Sequence, residues 1–218
     1  MRLRARGIVL SVVFVTIIYI LFESFSRPSQ VEFNYVPKPI RPERYPVTST
    51  IRLPPGRPKK LSKIQHEPVI ETPEAKDLRL ERLQDVRNTF IHAWNGYKAQ
   101  AWAKDELRPI AGGFKTPFCG WAATMVDSLD TLWIMELYDE FELALKELEN
   151  VDFTNTERCQ INLFETTIRH LGGLLSAFDI SGGKRFILVH KAVELAEVLF
   201  TAFDTPNRMP TAHYMWSA

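Results

Sequence analysis

The chain has 218 residues, enough for one sizeable domain or a smaller one with appendages. Its 27 Lys and Arg against 26 Asp and Glu leave no bulk charge to argue for a nucleic-acid partner, and two cysteines are too few for a disulfide framework. The balance is uneven along the chain: basic residues prevail up to about residue 73 and acidic ones afterwards, as expected of a basic tip and linker joined to a mildly acidic folded part.

Arg2, Arg4 and Arg6 precede an almost wholly apolar run from Gly7 to Phe22, which continues weakly to Phe25. A membrane-spanning helix needs roughly 17–25 residues, so this run meets the lower limit. It reads either as a cleaved signal peptide or as a signal anchor. The arginines favour leaving the N-terminus in the cytoplasm, and Phe22-Glu23-Ser24-Phe25 lacks the small-x-small pattern of a cleavage site. The expectation is a cytoplasmic tip over 1–6, a transmembrane signal anchor over 7–25, and everything beyond on the lumenal side.

Residues 26–74 hold ten of the fourteen prolines. Proline removes a backbone donor and fixes φ, so neither a helix nor a central strand persists there, and the segment reads as an extended stem. Pro37-Lys38-Pro39 and Pro54-Pro55-Gly56-Arg57-Pro58 leave a proline-rich recognition ligand as the weaker reading.

From about residue 75 the spacing becomes helical. Leu83, Val86, Phe90, Ile91, Trp94, Tyr97 and Trp102 predict one amphipathic helix to about residue 103. Pro109, Gly112, Gly113 and Pro117 mark a loop over 105–119. A second helix is predicted over 121–137, followed by a short amphipathic piece over 140–148. A third is predicted over 162–178, a glycine break at Ser181-Gly182-Gly183, and a fourth over 184–203, the last two forming a hairpin. No strand pattern is strong, so the fold class is all-α, with about four helices.

Two groups of acids sit among apolar residues. Asp127 and Asp130, three apart, would share a helix face beside tryptophans. By spacing alone such carboxylates solvate, take a structural hydrogen bond or serve a polar ligand. In Asn162-Leu163-Phe164-Glu165-Thr166-Thr167-Ile168-Arg169, Glu165 stands three residues after Asn162, as in a capping box, and four before Arg169, as in a helical ion pair. On spacing alone, capping outweighs catalysis. There is no HExxH, no cysteine–histidine metal spacing and no EF-hand loop, and none of the five histidines is assigned as a metal ligand.

Four stretches change that weighting. His92–Tyr97, Lys104–Pro109, Gly120–Trp133 and Asn162–Gly173, with Ala202–Pro210 near the end, resemble in order and spacing the signature blocks of class I α-1,2-mannosidases, glycoside hydrolase family 47, its fungal members most of all. The resemblance covers roughly residues 80–213. It implies an (α/α)7 barrel that trims α-1,2-linked mannose from high-mannose N-glycans in the secretory pathway, with calcium and with inversion. It also implies Glu165 as general acid, with Arg169 and Asp127 facing the sugar. Inverting hydrolysis needs one protonated carboxyl at the leaving oxygen and a second carboxylate far enough away to admit water. Because an arginine nearby favours the ionised form, Arg169 is expected to engage substrate or another acid rather than pair fully with Glu165.

The same resemblance places the remaining catalytic carboxylates and the calcium-holding threonine beyond Ala218. Residues 75–218 are therefore expected to be an incomplete catalytic domain, inactive alone, of a type II protein of the Golgi or endoplasmic reticulum. A mannosidase-like lectin and a membrane-tethered fragment without activity remain as alternatives. Ala122 stands where the family usually has glycine, and Gly183 where an acid is common. Cys119 and Cys159 precede the second and third helices and can pair in an oxidising lumen or stay free.

Overall fold

The computed structural model describes residues 43–49, 52, 56, 59–67, 69–154 and 159–215. The tip 1–6 and the apolar segment 7–25 lie outside the described residues, among which no helix is long and apolar enough to cross a membrane. The described residues of the proline-rich stretch are exposed and carry no helix or strand before Pro73, as the missing amide donors require.

Helix α1, Pro73–Ala101, starts two residues earlier than the apolar spacing predicts. Thr72 caps it by accepting a hydrogen bond from the Ala75 amide at 3.3 Å, and proline is suited to the first helical position, where no amide partner is needed. Only its second half joins the core, through Trp94, Tyr97 and Ala101. Leu83 and Val86, expected on the buried stripe, are 56% and 59% exposed. A helical period marks a face, but burial needs an element opposite it.

After α1 the chain makes a small antiparallel ribbon, β1 (Glu106–Leu107) with β2 (Phe114–Lys115). Gly112 and Gly113, both at positive φ, make the turn between them. The single helix expected over 121–137 is two, α2 (Ala123–Asp127) and α3 (Leu129–Ile134). At the break the Ser128 hydroxyl donates back to the Thr124 carbonyl at 2.6 Å, a local bond that competes with the helical ladder. Ala122, just before α2, has φ 55 and ψ 45, the left-handed region where glycine carries no Cβ penalty. Helix α4, Tyr138–Leu148, buries Phe141, Ala144, Leu145 and Leu148 at i, i+3, i+4 and i+7.

A second antiparallel ribbon joins β3 (Gln160–Asn162) to β4 (His213–Met215), pairing Ile161 with Tyr214 and Asn162 with His213. The expected third helix is one stretch in three parts: α5 (Leu163–Thr166), a π turn (Thr167–Leu171) and α6 (Gly172–Ile180). Gly182 and Gly183 close it at positive φ, with the Gly183 amide reaching back to the Phe178 carbonyl at 2.9 Å. Helix α7, Phe186–Phe200, packs against α6 and ends in a 3-10 turn, Thr201–Phe203. The protein is thus mostly helical, with two short ribbons that the sequence does not announce.

One apolar core gathers Trp94 and Tyr97 of α1, Met125 and Val126 of α2, Leu129 and Leu132 of α3, Phe141 of α4, Leu174 of α6 and Leu195 of α7. Each such side chain contributes roughly 1.5–3 kcal/mol on full burial. Arg185, capping α7, lies 4.6 Å from the Trp133 ring centroid and donates to Glu142 at 2.6 and 2.9 Å, tying α7 to α3 and α4.

Candidate active site

The ribbon β3–β4 delivers the chain to α5. The Leu163 amide donates to the Ala212 carbonyl at 2.9 Å, and Asn162 caps α5 by accepting from the Glu165 amide at 3.0 Å. The Asn162 side chain also lies 3.0 Å from His213 Nε2. This is half of the capping box legible in the sequence. Its other half is replaced, because the Glu165 carboxylate turns to Arg169, whose Nε donates to it at 2.6 Å.

Arg169 sits in the π turn, the kind of wide turn that recurs at functional sites because it re-aims side chains relative to a regular helix. Its Nη1 reaches Asp127 Oδ2 at 3.1 Å, and its guanidinium lies 5.2 Å from the Phe118 ring centroid. The two carboxylates are therefore linked through one cation, each by a single contact. The side chains of Arg169, Glu165 and Asp127 are 41%, 30% and 34% exposed, so the cluster faces solvent. At such exposure an ion pair adds at most about 1 kcal/mol to stability. Burial raises the Asp127 pKa, while the hydrogen bond and charge of Arg169 oppose the rise. The bond to Glu165, then that to Asp127, raises the pKa of Arg169 and holds it charged.

The approach of the two acid-bearing elements depends on Gly173. A Cβ there would stand 3.0 Å from the Val126 carbonyl oxygen, one residue before Asp127. The disulfide Cys119–Cys159, with its Cα atoms 5.3 Å apart, links the loop before α2 to the strand before α5. Glu165, Arg169 and Asp127 thus converge as a group. Asp130 does not join them: it accepts from Ser176 on α6 at 2.9 Å.

Two residues beside the cluster lie within the family-like stretches, but their spacing assigns them no role. Asp105 is fully buried and accepts from the amides of Phe118, Gly120 and Ala123 at 2.7, 3.0 and 3.2 Å. It caps α2 from a distance and sets the loop that presents Phe118; burial raises its pKa against those three bonds. His170 is fully buried among Phe118, Trp121 and Phe153, whose ring centroids lie 6.0–6.2 Å away. No hydrogen bond of ordinary geometry reaches either ring nitrogen, and burial lowers its pKa to about 4 against a weak contact with the Trp121 backbone. Both residues act through contacts distant in sequence, which residue spacing does not register.

The profile of glycosyl hydrolase family 47 matches residues 89–218. The chain belongs to this family. It is 45% identical over 131 residues to the rat endoplasmic reticulum mannosyl-oligosaccharide 1,2-alpha-mannosidase, covering 60% of this chain and 19% of that protein. It is 42% identical over 146 residues to human mannosyl-oligosaccharide 1,2-alpha-mannosidase IB, covering 64% and 22%. Among solved structures, an alpha-1,2-mannosidase from Trichoderma reesei superposes with a TM-score of 0.58 at 32% identity, over 61% of this chain and 30% of that one. The match to these two curated relatives spans about a fifth of their length.

Among the described residues no group of three or more His, Cys, Asp or Glu side chains is placed to hold a metal ion.

Proposed function

We propose that this family 47 chain is part of an α-1,2-mannosidase that trims high-mannose N-glycans by inverting hydrolysis, with Glu165 as the general acid and with Arg169 and Asp127 facing the sugar. The observation that carries the assignment is the exposed Glu165–Arg169–Asp127 chain of contacts, in which one guanidinium is shared by two carboxylates. A guanidinium in contact with a carboxylate favours its ionised form. Arg169 touches both acids at once, so a sugar that takes up its guanidinium would free the Glu165 carboxyl to face the leaving oxygen. The bond to Glu165 is single and solvent-facing, which leaves it open to exchange with a sugar hydroxyl.

The second carboxylate of the inverting pair, the rest of an (α/α)7 barrel and the calcium belong, on this reading, to parts of the protein outside these 218 residues. The apolar run 7–25 is read as a signal anchor and 26–74 as a stem, giving a single-pass type II protein of the Golgi or endoplasmic reticulum. The names of the rat and human relatives support a mannosyl-oligosaccharide substrate, and that of the rat protein supports the endoplasmic reticulum.

The test is mannose release from a high-mannose glycan by the complete protein with calcium. Glu165→Gln should lower kcat by about 10²–10⁴-fold, the usual contribution of a positioned acid, while glycan binding persists. Glycan binding by the wild-type protein without any release would favour the lectin reading instead. Wild-type activity retained by Glu165→Gln would remove the acid assignment.

A further inference from the structure

Among its described residues, the proline-rich stretch is held against the end of α7 at Glu43–Tyr45. Arg44 and Tyr45 donate their backbone amides to Asp204 Oδ2 and Oδ1, both at 2.8 Å, across about 160 residues of sequence. One carboxylate thus takes two consecutive amides, one per oxygen, a charge-assisted pairing stronger than two neutral bonds. Beside it Glu43 comes within 3.7 Å of Arg208. Glu43 also lines a groove of about 490 Å³ with Val193, Ala196 and Phe200 of α7.

The platform receiving this segment is itself braced. Asp204 follows the 3-10 turn at the end of α7, and its amide donates to the Thr201 carbonyl at 3.1 Å. The Thr205 hydroxyl donates to the Met209 carbonyl at 2.8 Å, the Met209 amide to Asn207 Oδ1 at 3.2 Å, and the Thr211 amide to the Ala202 carbonyl at 3.1 Å. The contacts made by Asp204 use backbone amides at a bend of the chain, so they select a turn that presents two consecutive donors on one side rather than a particular side chain. Tyr45 is the last residue before Pro46, which has no amide to offer.

We infer that Glu43–Tyr45 is a strap fastened to the folded part by Asp204, with Arg208 as its second hold, so that the proline-rich stretch is not a free linker along its whole length. The chain then leaves the folded part from a fixed point at the end of α7.

Limited trypsinolysis of the full chain tests it with an internal control. Arg44, Arg52, Lys59 and Lys60 are all exposed, and none is followed by proline. Cleavage after Arg44 should be about tenfold slower than after Lys60, because the strap must open first. Asp204→Ala should bring the two rates together while leaving far-UV circular dichroism unchanged. Equal rates in the wild-type protein, or protection that survives Asp204→Ala, would overturn the inference. Should the variant fail to fold, hydrogen exchange on the wild-type protein decides: the Arg44 and Tyr45 amides should exchange more slowly than those of Leu61 and Ile64, and equal exchange overturns the strap.

Discussion

His170 gives the most direct physical test of the site's surroundings. It is buried, ringed by aromatic side chains and without a hydrogen bond of ordinary geometry, so the folded protein holds it neutral with a pKa of about 4. In the unfolded chain its pKa returns to 6.5. Between those values the unfolded state binds a proton that the folded state refuses. The stabilising effect is therefore complete above the unfolded pKa and is lost as pH falls from 6.5 towards 4. The full difference is on the order of 3 kcal/mol, most of which falls between about pH 7.5 and pH 4.5. The perturbation is His170→Phe, which keeps an aromatic ring and removes the titration. At neutral pH the variant should lie within about 1–2 kcal/mol of wild type, since removing two unpaired buried nitrogens offsets some overpacking. Urea unfolding of both proteins across this pH range reads the effect. The stability difference should move in favour of the phenylalanine variant by about 2–3 kcal/mol on acidification. Parallel curves for the two proteins would show that His170 titrates normally, and would refute the dry aromatic pocket.

Gly173→Ala should push α6 from the Val126 carbonyl and lower stability by about 1–3 kcal/mol, read as a fall in Tm; an unchanged Tm would mean the helices yield without cost. Asp105→Asn leaves one acceptor oxygen where two receive three amides, and should cost about 2–4 kcal/mol in urea unfolding, a loss that Asp105→Glu does not restore because the amides are fixed in place. Replacing both Cys119 and Cys159 by serine should cost roughly 4 kcal/mol in the chain-entropy treatment for a sequence separation of 40 residues, measured as a lowered urea midpoint against the oxidised protein. Ala122→Gly should relieve about 1 kcal/mol of left-handed strain, offset in part by the lost methyl in the core, so the net change in Tm should be small.

The sequence by itself determined the helical segments between about residues 75 and 203, the glycine stop at Gly182 and Gly183, and the cap from Asn162 to the Glu165 amide. These rest on short-range rules: side-chain period, left-handed φ and a hydrogen bond three residues long. The resemblance of ordered motifs to family 47 likewise lay in the sequence, and with it the choice of Glu165, Arg169 and Asp127. Tertiary structure decided what those residues touch. Spacing allowed Arg169 to Glu165 alone; the π turn and the close approach at Gly173 added Asp127, which is 42 positions away. Spacing put Leu83 and Val86 on a buried stripe, but no described element covers them. Asp105, His170 and the Asp204 strap were invisible for the same reason. A buried carboxylate is stable only where amides converge on it, and those amides come from segments that meet only once the chain has folded.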